Sequence, residues 1–174
     1  VSQTLVLGVG NILLQDEGVG VRVVEHLNEC YAFPEEVQVL DGGTMGLDLL
    51  YYLEGVDRLL VIDAVDAGQP PGTILRLTGN EIPALLGRKL SPHQIGLADL
   101  LSVAQLRDLT PGQVILIGVQ PAWLETGLDL SPTVGDQLPA IIRMVLKEIR
   151  NWGYTIEHRD DCSALSTKPE SLTT

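Results

Sequence analysis

The sequence predicts an α/β protein: a single-domain three-layer sandwich around a five-stranded, mainly parallel, doubly wound sheet. Two observations predict it. Short apolar runs alternate with amphipathic segments along the chain, and the 174 residues contain neither an internal repeat nor a linker that would divide them. Hydrophobic residues make up 45% of the chain but aromatic ones only 4%, so the core must be built from Val, Leu and Ile.

The elements follow in order. Thr4 to Val9 is a near-continuous apolar run, as expected of a strand buried on both faces. Residues 18–31 have helical character, with Val19, Val23, Val24 and Leu27 among the apolar positions. Residues 36–41 alternate like a strand and end at Gly42-Gly43. Residues 44–53 read as a helix with Leu47, Leu50 and Leu53 on one face. A third strand is predicted at 58–63 and a fourth at 72–77.

A polar, proline-bearing stretch at 90–94 precedes a helix at 95–106, where Leu97, Leu100, Leu101 and Ala104 form an i, i+3, i+4, i+7 stripe. The fifth strand is 113–119, and Val134 through Ile149 mark one long amphipathic helix. From Arg159 the chain turns polar and rich in Ser and Thr. The predicted domain is therefore residues 1–158, and 159–174 a polar, disordered tail.

A net charge of −12 argues against nucleic acid or an anionic membrane as partner, because no phosphate-neutralising patch is available. It suits a basic partner or simple solubility. No basic leader and no apolar run of membrane-spanning length is present, so a cytoplasmic location is expected. Cys30 and Cys162 match no metal-ligand spacing. They can form one disulfide, but nothing in the sequence demands it, and a reducing compartment is the expectation.

The first strand runs into Gly8-Val-Gly10-Asn11, and a second ends at Asp41, where a dinucleotide fold would carry its ribose-binding acid. The rest of that fingerprint is missing. Leu13 stands where the third glycine belongs, and Gln15-Asp16-Glu17-Gly18 follows. Two carboxylates at the start of a helix repel a pyrophosphate but suit a cation, or simply cap the helix and complement its dipole.

Ligands of doubly wound sheets bind at the carboxyl ends of the strands, beside the point where strand order reverses. In a 2-1-3-4-5 order that point lies between the first and third strands. Glu17 lies just past the first, and Asp63 ends the third. An acid closing an apolar strand is seldom there for packing, although a cap or a salt bridge is the plainer alternative. His93, in Leu90-Ser-Pro-His-Gln-Ile-Gly96, is placed on the loop after the fourth strand, on the same rim if the winding is regular. His26 and His158 read as ordinary surface histidines. Glu, Asp and His with an open position can bind Zn, Ni or Mn.

These segments resemble the hydrogenase maturation endopeptidases of nickel–iron hydrogenases. The marks are Leu7-Gly-Val-Gly-Asn-Ile-Leu-Leu-Gln-Asp-Glu-Gly18, Leu40-Asp-Gly-Gly-Thr44, Ile62-Asp-Ala64, Ser91-Pro-His-Gln-Ile-Gly-Leu97 and Leu116-Ile-Gly-Val-Gln-Pro121. The likeness runs from Leu5 to about Arg150. It implies a cytoplasmic, monomeric endopeptidase that removes a C-terminal extension from a nickel-loaded large-subunit precursor. It further implies Glu17, Asp63 and His93 as metal-binding and catalytic residues, with nickel carried by the substrate and other divalent transition metals able to substitute. Asp16 and Asp41 are candidates to orient those ligands. Two other functions stay open at this point: a nucleotide-binding oxidoreductase, and a non-enzymatic, nickel-dependent chaperone of the large subunit.

Overall fold

A computed structural model describes residues 2–86 and 92–162. Its centre is a five-stranded sheet. In chain order the sheet strands are β1 (Thr4–Val9), β3 (Val37–Gly43), β4 (Arg58–Ala64), β5 (Ile74–Thr78) and β6 (Gln113–Val119). Two further short strands, β2 (Tyr31–Ala32) and β7 (Glu157–His158), pair antiparallel outside it. The helices are α1 (Val19–Cys30), α2 (Leu50–Leu53), α3 (Glu81–Leu86), α4 (Pro92–Leu106), α5 (Pro132–Gly135) and α6 (Leu138–Asn151), with 3-10 turns at Gln15–Gly18 and Gly46–Leu49.

Period-two alternation sorts the strand residues into two cores. Val6, Leu60, Ile62 and Ile117 face one way, onto Val23, Val24 and Leu27 of α1 and Ile141, Val145 and Ile149 of α6. Leu5, Leu7, Leu59, Val61 and Leu116 face the other way, onto Leu49, Leu53, and Leu97 and Leu100 of α4. Both faces of the central strands are therefore covered, as the unbroken apolar runs require. Each such aliphatic side chain contributes roughly 1.5–3 kcal/mol by burial. The three-layer sandwich and mainly parallel sheet agree with expectation.

The strand order departs from it. The sheet runs β3-β1-β4-β6-β5, and β5 pairs antiparallel with β6 at the edge. The physical reason is the link between β4 and β5. A parallel return needs a crossover of about a dozen residues or more, usually a helix. Residues 65–73 are fewer than that, contain Pro70-Pro71 and form no helix, so the chain returns in the opposite direction. The reversal between β1 and β4 is unaffected, since both β3 and β4 run parallel to β1 on either side.

Two helical expectations are also refined. The stretch at 44–53 is a 3-10 turn followed by the single helical turn α2. The long helix at 134–149 is divided into α5 and α6, and Pro139 lies in the first turn of α6, where a missing N–H costs nothing.

Candidate active site

After β1 the backbone turns at Gly10, whose φ is +137°, and a Cβ there would overlap the carbonyl oxygen of Glu17. Glycine at this position lets the turn fold back onto the end of the strand. Asn11 closes the loop by accepting the Leu13 N–H through Oδ1 at 3.0 Å. Gln15 takes a left-handed φ of +51°, and the 3-10 turn carrying Asp16 and Glu17 follows.

Asp16 is wholly buried, and its carboxylate serves the segment after β6. Oδ2 accepts from the N–H groups of Ala122 and Trp123 and the hydroxyl of Ser131, each at 2.8 Å; Oδ1 accepts from the Ser131 N–H at 2.7 Å. The backbone adds to this joint, with Gln15 N–H donating to Gly127 O and Asp16 N–H to Trp123 O. Ser131 in turn caps α5 through the Val134 N–H. Asp16 thus staples the 122–131 loop to the rim.

Glu17 is 9% exposed and lines a cleft of about 310 Å³ with Val9, Asn11, Leu14, Gly43 and Leu97. Asp63, at the end of β4, is fully buried. Gly8 pairs with Ile62, so Asp63 comes beside the end of β1, and the turn bearing Glu17 packs on β4. Alternation also assigns Asp63 a face: its neighbours in the pattern, Val61 and Val65, both belong to the core shared with Leu97 and Leu100 of α4. Both carboxylates therefore lie on the carboxyl rim, and Asp63 belongs to the face that α4 covers.

His93 lies in the first turn of α4, one turn before Leu97, and its side chain lies outside the described residues. The route that brings it to this rim is not the expected one. Because β5 is antiparallel, the loop after it opens on the amino rim. It is α4, running back toward the start of β6, that places its N-terminal half at the carboxyl rim, where Leu97 and Leu100 wall the cleft. Asp41 is exposed, and its Oδ1 accepts the Gly43 N–H at 2.9 Å, which shapes the end of β3.

A glycine also sets how closely the first helix packs on the sheet. A Cβ on Gly20 would overlap the carbonyl oxygens of Ile62 and Val9, so α1 sits in backbone contact with β1 and β4.

Two features were not read from the sequence. Leu13, Met45, Leu47, Trp123, Leu124 and Leu128 are 39–59% exposed, all on loops leaving the carboxyl ends of β1, β3 and β6. A tryptophan beside a proline-bearing strand end, Pro121-Ala-Trp123, was the available signal. The second is a disulfide between Cys30 and Cys162, with His26 beside it. Spacing in sequence carries no sign of that pairing.

The sequence profile described as hydrogenase maturation protease matches residues 21–148 of the chain. The hydrogenase 2 maturation protease of Escherichia coli is 45% identical over 150 residues, covering 86% of this chain and 92% of the relative. The solved structure of the hydrogenase maturating endopeptidase HybD from E. coli has a TM-score of 0.87 at 43% identity, over 91% of this chain and 99% of that one. The nickel–iron hydrogenase maturation protease HybD from Thermococcus kodakarensis has a TM-score of 0.71 at 27% identity, over 84% and 98%.

Proposed function

This chain belongs to the hydrogenase maturation protease family, and from that premise we propose the parts that its rim residues take in the reaction. The protein is an endopeptidase that removes the C-terminal extension of a nickel–iron hydrogenase large-subunit precursor. Glu17, Asp63 and His93 ligate the nickel that the precursor carries. The observation that supports this is a pair of buried carboxylates at the carboxyl ends of the adjacent parallel strands β1 and β4: Glu17, on the turn after β1, lines the cleft, and Asp63 lies at the end of β4. Packing does not call for acids there, and carboxylates with an imidazole form a donor set that nickel and zinc both accept.

Nickel supplies Lewis-acid polarisation of the scissile carbonyl or of a water. The protein's residues do the rest. Glu17, at the cleft wall, and Asp63, held in the β4 backbone, fix the ion against the sheet, while the apolar wall of Val9, Leu49, Leu97 and Leu100 excludes bulk water. The exposed apolar residues around the rim cover the folded part of the precursor. Asp16 acts at one remove, by holding the 122–131 loop that forms part of that rim. The cytoplasmic setting and the monomeric state belong to this proposal as well; no helix among the described residues is long and apolar enough to cross a membrane.

The test mixes the protein with nickel-loaded and nickel-free precursor and measures the mass of each. Shortening of the loaded form alone is expected. Binding of the loaded precursor without shortening would instead identify a chaperone. Equal shortening of both forms would remove nickel from the mechanism.

A further inference from the structure

Some distance from the cleft, at the C-terminal end of α1, three metal-ligating side chains converge. Helix geometry puts His26 and Cys30, four residues apart, on one face, and His26 Nδ1 lies 3.7 Å from Cys30 Sγ. Cys162 arrives from the chain after β7 and is bonded to Cys30. The donor atoms of the three residues all lie within 4.8 Å of one another. Twelve residues of helix, about 18 Å, separate this end of α1 from the turn that carries Glu17.

We propose that in the reduced protein His26, Cys30 and Cys162 form a second metal site, for a zinc-class divalent ion, of which the disulfide is the oxidised form. The geometry of the backbone carries the argument. Cys162 is not held by its sulfur alone: Arg159 N–H donates to Cys30 O at 2.8 Å, and Cys162 N–H to Arg159 O at 3.3 Å. The β2–β7 ladder pairs Tyr31 with His158 and Ala32 with Glu157. The segment therefore stays in register with α1 when the bridge opens.

Around a tetrahedral zinc ion, sulfur at about 2.3 Å and nitrogen at about 2.0 Å leave ligand atoms roughly 3.3–3.9 Å apart. The imidazole is already at that distance from Cys30 Sγ, and only the two sulfurs must separate. Cys30 is buried whereas His26 and Cys162 are partly exposed, so an ion or a reductant enters from the Cys162 side. Burial, and secondarily the nearby His158, depress the His26 pKa against the opposing charge of Glu29, which favours the neutral, ligating imidazole.

The chemistry balances with a dithiol as reductant. Two electrons and two protons pass to the Cys30–Cys162 bridge, giving two thiols, and the reductant leaves as its own disulfide. Metal binding then releases the two thiol protons.

The experiment adds Co2+ to the full-length protein after reduction by a dithiol and its removal without air, and in parallel to untreated protein. Thiolate-to-cobalt charge-transfer absorption reports this site and is silent for the carboxylate and imidazole ligands of the cleft. One equivalent per chain is expected in the reduced protein, displaced by Zn2+, with none in the oxidised protein. Cys162→Ser should lose most of the band and His26→Gln should weaken binding at least tenfold. No band in the reduced wild type, or an undiminished band in Cys162→Ser, overturns the proposal. Because the first arm uses the wild-type chain, misfolding of a variant does not decide the outcome.

Discussion

Asp16 turns its carboxylate to the 122–131 loop and gathers four donors there, while its neighbour Glu17 lines the cleft. Adjacent positions in a 3-10 turn point in different directions, which is how two acids side by side come to different work. Asp16→Ala would strand the buried N–H and hydroxyl of Ser131 and the part-buried N–H groups of Ala122 and Trp123, so denaturant titration should show a loss of about 2 kcal/mol or more. The cleft residues should behave differently. Glu17→Gln and Asp63→Asn keep side-chain volume, and both should give wild-type circular dichroism. These two and His93→Ala should each slow precursor processing at least ~100-fold, and pairs of them should cost less than the product of the singles. Wild-type processing by all three would relocate the active centre. His26 titrates in the opposite sense to a paired histidine. Its folded pKa is lowered from 6.5, mainly by burial, so the unfolded chain binds its proton first as pH falls. Stability contributed by the neutral ring is complete above the unfolded value and is lost as pH drops through the folded one. As pH falls below the ordinary histidine value of 6.5, the thermal midpoint should drop more steeply in the wild type than in His26→Gln.

At the scale of elements, α1 owes its place to the absence of side chains. Gly8 and Gly20 bring the helix backbone against β1 and β4, and the turn bearing Asp16 and Glu17 is carried to the rim by that contact. Gly20→Ala would push a methyl group into the carbonyl oxygens of Ile62 and Val9. A loss of at least about 2 kcal/mol is expected on thermal or chemical unfolding, together with slower processing, because helix and carboxylates shift together. A substitution that left stability unchanged would show that the helix can retreat at no cost. β5 shows the other side of element logic. Its residues satisfy a strand pattern whichever way they run, and only the short, proline-bearing link at 65–73 selects the antiparallel direction.

At the scale of the whole molecule, the Cys30–Cys162 bridge spans 132 residues and ties the end of the described chain to α1. Closing a loop that long removes much of the freedom of the unfolded chain. Reduction in the presence of a chelator should therefore lower the stability by roughly 2–4 kcal/mol, read as a shift of the denaturation midpoint with a dithiol present. A midpoint indifferent to reduction would show that β2–β7 pairing and the turn at 159–162 hold the segment unaided. The chain carries a net charge of −12, and the exposed side chains of the rim include several large apolar ones. Under the proposed function, those apolar side chains are what the precursor would dock against.

The sequence by itself determined the sheet's central strands, the layers above and below it, and the presence of Glu17 and Asp63 on one rim. Those features follow from local pattern: unbroken apolar runs must be covered on both faces, and an acid at the end of such a run sits at the strand's end whatever surrounds it. Tertiary structure alone decided the place of β5 beside β6 at the sheet's edge, the joining of Asp16 to Ser131, and the meeting of Cys30 with Cys162 and His26. Each of the latter two joins segments more than a hundred residues apart, and β5, whose direction its short link sets, pairs with a strand that comes later in the chain. The helix that carries His93 reached the carboxyl rim by running back toward β6, a path that regular winding did not predict. Periodicity reports which face of an element is buried; it carries no information about which distant segment buries it.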